Sequence, residues 1–254
     1  MPLTYSHSKL NDFDQCPLKF RLRHLDGVKS NVETIDTFKG DRVHETLKTL
    51  YEALRQDYLY SLSELLDFYE QQWGRFWHFG IRTPRETEEE QFHRGVRCIE
   101  NYYHAYTPFC DSRTEFLEGE VELHFPLDLG VRRERLLTGK IDRFASRPDG
   151  CYEIHDYKTG RLTEDNLAKS WRQLTFYQCA IQFSHPEVRR VELTLHYLES
   201  GENLNRWQTE PEITEILRDT KQQIICIESQ DVFPANPSPL CDWCEFRDGC
   251  PAWR

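Results

Sequence analysis

The stretch "RPDG" at residues 147–150 lies between "GKIDRFAS" and "CYEIHDYKTG" and constrains this chain more than any other four residues. Pro148 and Asp149 suit the centre of a type I turn. Gly150 suits the left-handed residue that follows, giving the three-residue hairpin loop with a glycine bulge. Such a loop sets the register of both flanking strands, so that Arg147 faces Cys151 and Asp142 faces Asp156. Side chains alternate with a period of two, which places Lys158 on the face of Asp156. Two carboxylates and one lysine therefore converge on one patch. Neighbouring carboxylates repel unless a cation lies between them, and hard oxygen ligands suit Mg2+ or Mn2+. A lysine beside such an ion can orient or deprotonate a water, or neutralise charge on a phosphoryl group. The same geometry also describes a surface hairpin with a cross-strand ion pair. A two-residue loop would turn Asp156 to the opposite face.

The rest of the chain reads as helices first and a sheet afterwards. "SHSKLNDFDQ" is a Ser-capped helix, and Pro17 suits the first position of a second short one. From about 41 to 109 the apolar residues recur at helical spacing, as in Leu47, Leu50, Tyr51 and Leu54. A helix over 84–106 carries acid in its first turn. From Glu115 the period changes to two, giving three strands. A helix over about 166–183, a strand over 189–200 and a helix over 210–229 follow. The fold expected is α/β, a mixed sheet with helices packed on it. With 254 residues, 38% hydrophobic, the chain can bury a sizeable core as one large domain or two small ones.

No apolar run is long enough to span a bilayer, and "MPLTYSHSKL" lacks the pattern of a signal peptide, so a soluble cytoplasmic protein without a membrane partner is expected. The net charge of −11 argues against a nucleic-acid partner on average, yet binding depends on local fields. Acid gathers at 85–92 and 111–122. Positive charge gathers at 19–25, at 131–135 and around Lys169 and Arg172. Of the nine cysteines, Cys98, Cys110, Cys151, Cys179 and Cys226 stand alone and read as small buried apolar residues. Cys241, Cys244 and Cys250 are clustered in "CDWCEFRDGC" and read as three ligands of a metal site lacking a fourth.

"GKIDRF" followed by "HDYKTG" resembles the core of the PD-(D/E)XK nuclease superfamily in its RecB-like branch. "GDRVH" (40–44) is similar to that branch's Gly-x-x-x-His motif and "QLTFYQCA" (173–180) to its Gln-x-x-x-Tyr motif. "SKLNDFDQCPLKFRLRHL" resembles the N-terminal segment of RecB-type exonucleases with an iron–sulfur cluster, such as AddB-type subunits and CRISPR-associated adaptation exonucleases. The resemblance implies one restriction-endonuclease-like nuclease domain over 1–254, with a helical insertion at about 41–109 and a core at about 115–200. It implies a divalent ion, Mg2+ or Mn2+, held by His44, Asp142, Asp156 and the Tyr157 carbonyl. Lys158 would position the attacking water or stabilise the transition state, and Gln173 and Tyr177 would orient water or the DNA backbone. Glu120 and Glu122 alternate on the preceding strand, and either is a further candidate ligand.

For the cysteines, the resemblance supplies Cys16 as the fourth ligand, so that a cluster joins residue 16 to the 233–254 segment. Four thiolates suit a [4Fe–4S] cluster or, as the alternative, Zn2+. The activity implied is hydrolysis of DNA, single-stranded or at ends. The alternative is a non-cleaving DNA-binding subunit of a larger complex. No Walker-type motif is present, so unwinding would need a helicase, recombination or CRISPR partner.

Overall fold

In the computed structural model, residues 4–30, 32–83, 87–128 and 132–253 are described, with backbone only at 125–128 and 132–134. A short strand, β1 (Thr4–Ser6), turns directly into helix α1 (His7–Gln15). Ser6 caps α1, its Oγ accepting the Lys9 N–H at 3.1 Å. Pro17 opens α2 (Pro17–Phe20), where its missing N–H is no loss. A π-helical turn, Arg21–Leu25, follows. The positive charge at 19–25 is not a free basic patch. Lys19, Arg23 and His24 converge on the buried Asp12 carboxylate at 2.9, 2.6 and 2.8 Å, which, despite its burial, they hold below the usual carboxylate range. Of the basic stretch 131–135, residue 131 and the side chains of 132–134 lie outside the described residues, and Arg135 is buried against Glu228.

The helical insertion consists of α3 (Ile35–Leu54), α4 (Leu62–Phe76) and α5 (Glu88–Tyr106). It begins before the expected residue 41, because Thr34 caps α3 by accepting the Thr37 N–H. The start expected for the third helix, 84–86, lies outside the described residues. Ser61 with Glu64 and Thr87 with Glu90 form capping boxes at α4 and α5. A short parallel pair, β2 (Glu33–Thr34) and β3 (Ile81–Arg82), brackets the first two of these helices. Phe38, Leu47, Leu50, Leu65, Tyr69, Ile99 and Tyr102 fill the core of the insertion and extend it to Tyr157 of the sheet. Each such side chain contributes about 1.5–3 kcal/mol by leaving water.

The sheet adds β4 (Arg113–Asp128), β5 (Arg132–Ser146), β6 (Tyr152–Lys158), β7 (Val191–Tyr197) and β8 (Glu202–Arg206), in the order β1-β5-β6-β7-β8 with β4 on the other edge of β5. The hairpin loop has the expected form. Gly150 sits at φ 80°, and the Gly150 and Arg147 N–H groups donate to the Arg147 and Cys151 carbonyls. Its register pairs Ser146 with Tyr152 and continues to Arg143 with His155, where the pairing ends. Further along the same edge of β5, residues 136–138 pair with β1 in parallel. Residues 139–142 are left between two neighbours that have parted, and this gap holds the site. β1 and β8 ("ENLNR") lack the alternating apolar signal of the other strands and exist by pairing with β5 and β7.

Alternate residues of β6 serve opposite layers. Ile154 packs with Leu174 and Ile181 of α6 (Glu164–Ser184), while Tyr157 packs with the insertion. Helix α7 (Glu210–Glu228) joins α6 and α1 through Ile224, Ile227, Phe176, Leu10 and Phe13. The architecture is thus the expected mixed sheet flanked by helices. Among the described residues no helix is long and apolar enough to cross a membrane. Cys98 and Cys151 are buried as expected and Cys179 partly so. Cys110 and Cys226 are exposed, the first in the loop after α5 and the second on α7 between the inward-facing Ile224 and Ile227.

Behind the site, the buried rings of His155 and His196 stack with Nδ1 and Nε2 2.9 Å apart, and His155 Nε2 lies 3.0 Å from Arg143. Burial and then the Arg143 charge push His155 well below its ordinary value; burial and then His155 do the same to His196. An unfolded histidine titrates near 6.5. Below that pH the unfolded chain binds more protons than the folded one, so stability is complete above about pH 6.5 and falls as pH drops. The slope approaches about 1.4 kcal/mol per pH unit for each histidine. Melting curves from pH 7.5 to 5 should show a steep decline in Tm, and a flat Tm would contradict neutral burial of the pair.

Candidate active site

The gap in β5 exposes Asp142 to three other elements. Its Oδ2 accepts the Tyr157 N–H at 2.7 Å, so the Asp142 side chain takes over a backbone donor of β6 where the two strands part. Its Oδ1 lies 3.3 Å from Nδ1 of His44, which α3 presents. The other ring nitrogen, Nε2, donates to the Tyr157 carbonyl at 2.9 Å. Burial opposes a charge on His44, but Asp142, Asp156 and the Tyr157 carbonyl together overcome it and raise the ring to about 9. Burial likewise opposes ionisation of Asp142, and His44 reverses that, keeping the carboxyl below the usual range. The ring thus spans Asp142 and the Tyr157 carbonyl, two of the groups that the resemblance implies as ligands of a metal ion, and as a ligand itself His44 would act as the neutral imidazole.

Asp156 stands beside this group and faces Lys158, with Nζ 2.7 Å from Oδ2. Apart from this ammonium, the buried Oδ2 has no hydrogen-bond partner among the described residues. Burial, against the opposing pull of Lys158, raises Asp156 above the usual carboxylate range. Burial also disfavours charge on Lys158, but Asp156 outweighs it and keeps the amine above its ordinary value. Lys158 Nζ donates to Gln173 Oε1 at 2.9 Å, and Gln173 Nε2 donates to the Tyr177 hydroxyl at 2.7 Å. Gln173 and Tyr177 share a face of α6 through their i, i+4 spacing. Gly139 makes room for this chain of contacts: a Cβ there would lie 2.2 Å from Tyr177 Cε1.

A profile of the PD-(D/E)XK nuclease superfamily matches residues 4–251. The chain belongs to the PD-(D/E)XK nuclease superfamily. Among solved structures, this nuclease-superfamily chain is similar to a protein from Eubacterium rectale assigned as an exonuclease by inference. That likeness has a TM-score of 0.51 and 13% identity, over 95% of this chain and 86% of that one. SSO0001 is matched at 18% identity over 94% of this chain and 95% of its own, with a TM-score of 0.38. The first likeness supports the fold alone, and the second is too loose to support any inference. No curated protein matches the chain.

In this PD-(D/E)XK fold, sequence reasoning missed one acidic residue. Among the described residues, one group of metal-ligating side chains has all its ligand atoms within 4.8 Å of one another, and it comprises His44, Glu118 and Asp142. Glu118 sits in β4 at φ 52°, between the pairs Leu117–Arg143 and Gly119–Ile141, and so lies across from Asp142. A glutamate held in the left-handed region inside a strand costs about 1–3 kcal/mol, a strain that tends to persist at functional sites. Its other oxygen pairs with Lys140. Glu120 and Glu122 are not in this group and line the adjoining cleft instead. That cleft, about 850 Å3, is bordered by α1, by Lys140 and Lys158, and by Arg161, Lys169 and Gln173.

The nuclease's four candidate cluster cysteines line a second cavity of about 340 Å3, on the other side of α1. Cys16 Sγ and Cys241 Sγ accept the N–H groups of Asn236 and Ser238, each at 3.4 Å. Burial, with the Glu245 charge and then the nearby Cys16 thiol adding to it, pushes the Cys244 thiol up. The terminal segment is held to the N-terminal one by the Leu18 N–H to the Pro234 carbonyl, by Asn236 to the Gln15 carbonyl, and by Arg23 to Glu245.

Proposed function

We propose that this chain is a Mg2+- or Mn2+-dependent deoxyribonuclease of the RecB-like branch, hydrolysing phosphodiester bonds in single strands or at DNA ends. The observation that carries this reading is the meeting of His44, Glu118, Asp142 and the Tyr157 carbonyl beside the Asp156–Lys158 pair, at the gap in β5. The donor set fits a hard divalent ion: three carboxylates, one carbonyl and one imidazole, with the buried Asp156 Oδ2 facing the Lys158 ammonium. Such an ion would polarise the scissile phosphate and make the attacking water more acidic.

The protein's own groups do the rest. Asp142 stays ionised and anchors the Tyr157 backbone, which sets the direction of the Tyr157 carbonyl. Lys158 keeps its charge and is steered by Gln173, so its ammonium can neutralise charge growing on the phosphoryl oxygens. Tyr177 fixes Gln173 in turn. Arg161 lines the cleft with Lys140, which pairs with Glu118, and Lys169, which pairs with Asp165; these cations and the proposed metal ion would offset Glu120 and Glu122 of the same cleft for a polyanionic substrate. Residues 1–254 read as one nuclease unit carrying the helical insertion, and any unwinding would come from a separate helicase or recombination partner.

The second cavity reads as a [4Fe–4S] site formed by Cys16, Cys241, Cys244 and Cys250. A single Zn2+ at about 2.3 Å from each sulfur would draw the thiolates to van der Waals contact. No three of these thiols lie within 4.8 Å of one another among the described residues. A four-iron cube holds its ligand sulfurs farther apart than one ion does, and backbone N–H groups on Cys16 and Cys241 suit cluster sulfurs.

Two experiments address these assignments. Glu118→Gln should weaken Mn2+ binding by at least roughly 10- to 100-fold, the loss that removing even an outer partner of a metal ligand causes, as read by calorimetric titration. Unchanged affinity would remove Glu118 from the site. End-labelled linear strands should lose nucleotides from an end while a circular single strand is spared. Equal cutting of the circle would replace the exonuclease reading with an endonuclease, and cleavage of RNA alone would overturn the DNA assignment.

A further inference from the structure

Two side chains of α1 face the catalytic cleft and take no part in the chemistry above. His7 and Asn11 stand one helical turn apart, and both border the cleft. His7 Nδ1 and Asn11 Oδ1 are buried, and neither has a hydrogen-bond partner among the described residues. Buried polar atoms are rarely left in that state, so each calls for an explanation such as a ligand that completes it. His7 also borders Gly139 and Tyr177, so this wall of the cleft adjoins the reacting centre.

The walls of the cleft divide by chemistry. Lys140, Lys158, Arg161 and Lys169 are cations suited to phosphate oxygens, which position a strand without reading it; Lys140, Lys158 and Lys169 pair with Glu118, Asp156 and Asp165, and Glu120 and Glu122 line the same cleft. His7 and Asn11 are of another kind. Burial first, and then the charges of Arg172, Lys158 and Lys169, push the His7 ring down to about 3, so it is neutral. A neutral imidazole and a carboxamide each offer a donor and an acceptor. Such groups match the edge of a nucleobase, and asparagine does so in a bidentate manner. Base edges are open to such contact when the strand is single and unstacked.

We propose that His7 and Asn11 form a nucleobase subsite that contacts the edge of a base beside the scissile phosphate and sets a base preference for cleavage of a single strand. The proposal rests on the reading of the cleft as a nuclease site. It makes α1 a specificity element as well as the link between the cleft and the cysteine cavity.

The test is cleavage of a random-sequence single-stranded pool with Mn2+, with the product ends sequenced. The wild-type protein should favour one base, or purines over pyrimidines or the reverse, at a position adjoining the cut by roughly 5- to 100-fold, the discrimination of one good base contact. His7→Ala and Asn11→Ala should flatten that bias. Asn11→Asp keeps the shape of the side chain but replaces a donor with an acceptor, so it should change which base is favoured. This variant also decides the matter should the alanine variants fail to fold. A wild-type profile flat at every position, or an unaltered bias in Asn11→Asp, would overturn the subsite. If the wild-type protein cuts nothing, the nuclease reading fails instead. Fluorescence anisotropy with the four homo-oligonucleotides then decides the subsite: base-dependent affinity lost in Asn11→Ala supports it, and equal affinities in both proteins overturn it.

Discussion

Lys158→Met should lower the rate of DNA cleavage by roughly 1000-fold or more, with substrate binding weakened far less. Removing one preorganised electrostatic group from a transition state typically costs 100- to 1000-fold. Here the loss also reaches Asp156, whose buried Oδ2 has no other close partner than the Lys158 ammonium. Burial already holds Asp156 above the usual carboxylate range, and without the lysine it rises further toward protonation at neutral pH. The variant thus lacks a cation and a ligand oxygen's full charge together. Breaking a fully buried ion pair costs about 3–5 kcal/mol of stability. The loss should be smaller here, because the Lys158 side chain is 26% exposed. Asp156→Asn is the companion variant: Lys158 stays anchored to Gln173, the fold is retained and cleavage is lost. Single-turnover rates and melting curves separate these outcomes, and activity above a tenth of wild type in either variant would contradict the assigned roles.

On the [4Fe–4S] site proposed, anaerobically purified protein should show a broad visible absorbance, and Cys16→Ala should abolish it and lower Tm sharply. A cross-link closing a loop of more than two hundred residues, Cys16 to Cys241, is worth about 5 kcal/mol in the chain-entropy description, with a cluster only loosely comparable to a disulfide. That is similar to the whole stability of many domains. The terminal segment retains other anchors: Asn236 on the Gln15 carbonyl, Arg23 on Glu245, and Arg82 on Asp248 at 2.6 Å. The variant is therefore expected to loosen the 233–253 segment first and to disturb α1, which borders both cavities through Ser8 and Asn11. Loss of single-strand binding should precede loss of the catalytic groups' own arrangement. A variant with wild-type absorbance and wild-type Tm would remove Cys16 from the cluster, and a colourless zinc-loaded wild-type protein would replace the cluster with zinc.

The parts of this molecule legible in its sequence are those governed by local rules. Pro148, Asp149 and Gly150 define the hairpin, and its register holds from Ser146–Tyr152 to Arg143–His155; the expected facing of Asp142 and Asp156 falls one pair beyond, where the strands part and Asp142 takes the Tyr157 N–H instead. Ser6 and Pro17 likewise mark helix starts that the structure contains. The parts that escaped depend on pairings between distant segments. β1 lies beside β5 across more than a hundred residues, and only that pairing reveals the gap at 139–142. Glu118 could have been found from the long β4–β5 register, which sets it across from Asp142. The alternation of Glu118, Glu120 and Glu122 does not by itself single out the first. The Tyr157 carbonyl accepts from the His44 ring, which sits between that carbonyl and Asp142, so three groups that the resemblance gives to a metal ion meet at one place. The basic run at 19–25 read as a patch until Asp12 was found beneath it.

The central claim is that the groups around the β5 gap perform metal-dependent hydrolysis of DNA. Its most direct test is the cleavage rate of one end-labelled single strand by the wild-type protein and Asp142→Asn, with Mg2+, with Mn2+ and with chelator. Cleavage by the wild-type protein with either ion, none with chelator and none by the variant is the result expected. Cleavage that persists in chelator, or that survives in Asp142→Asn, would contradict it.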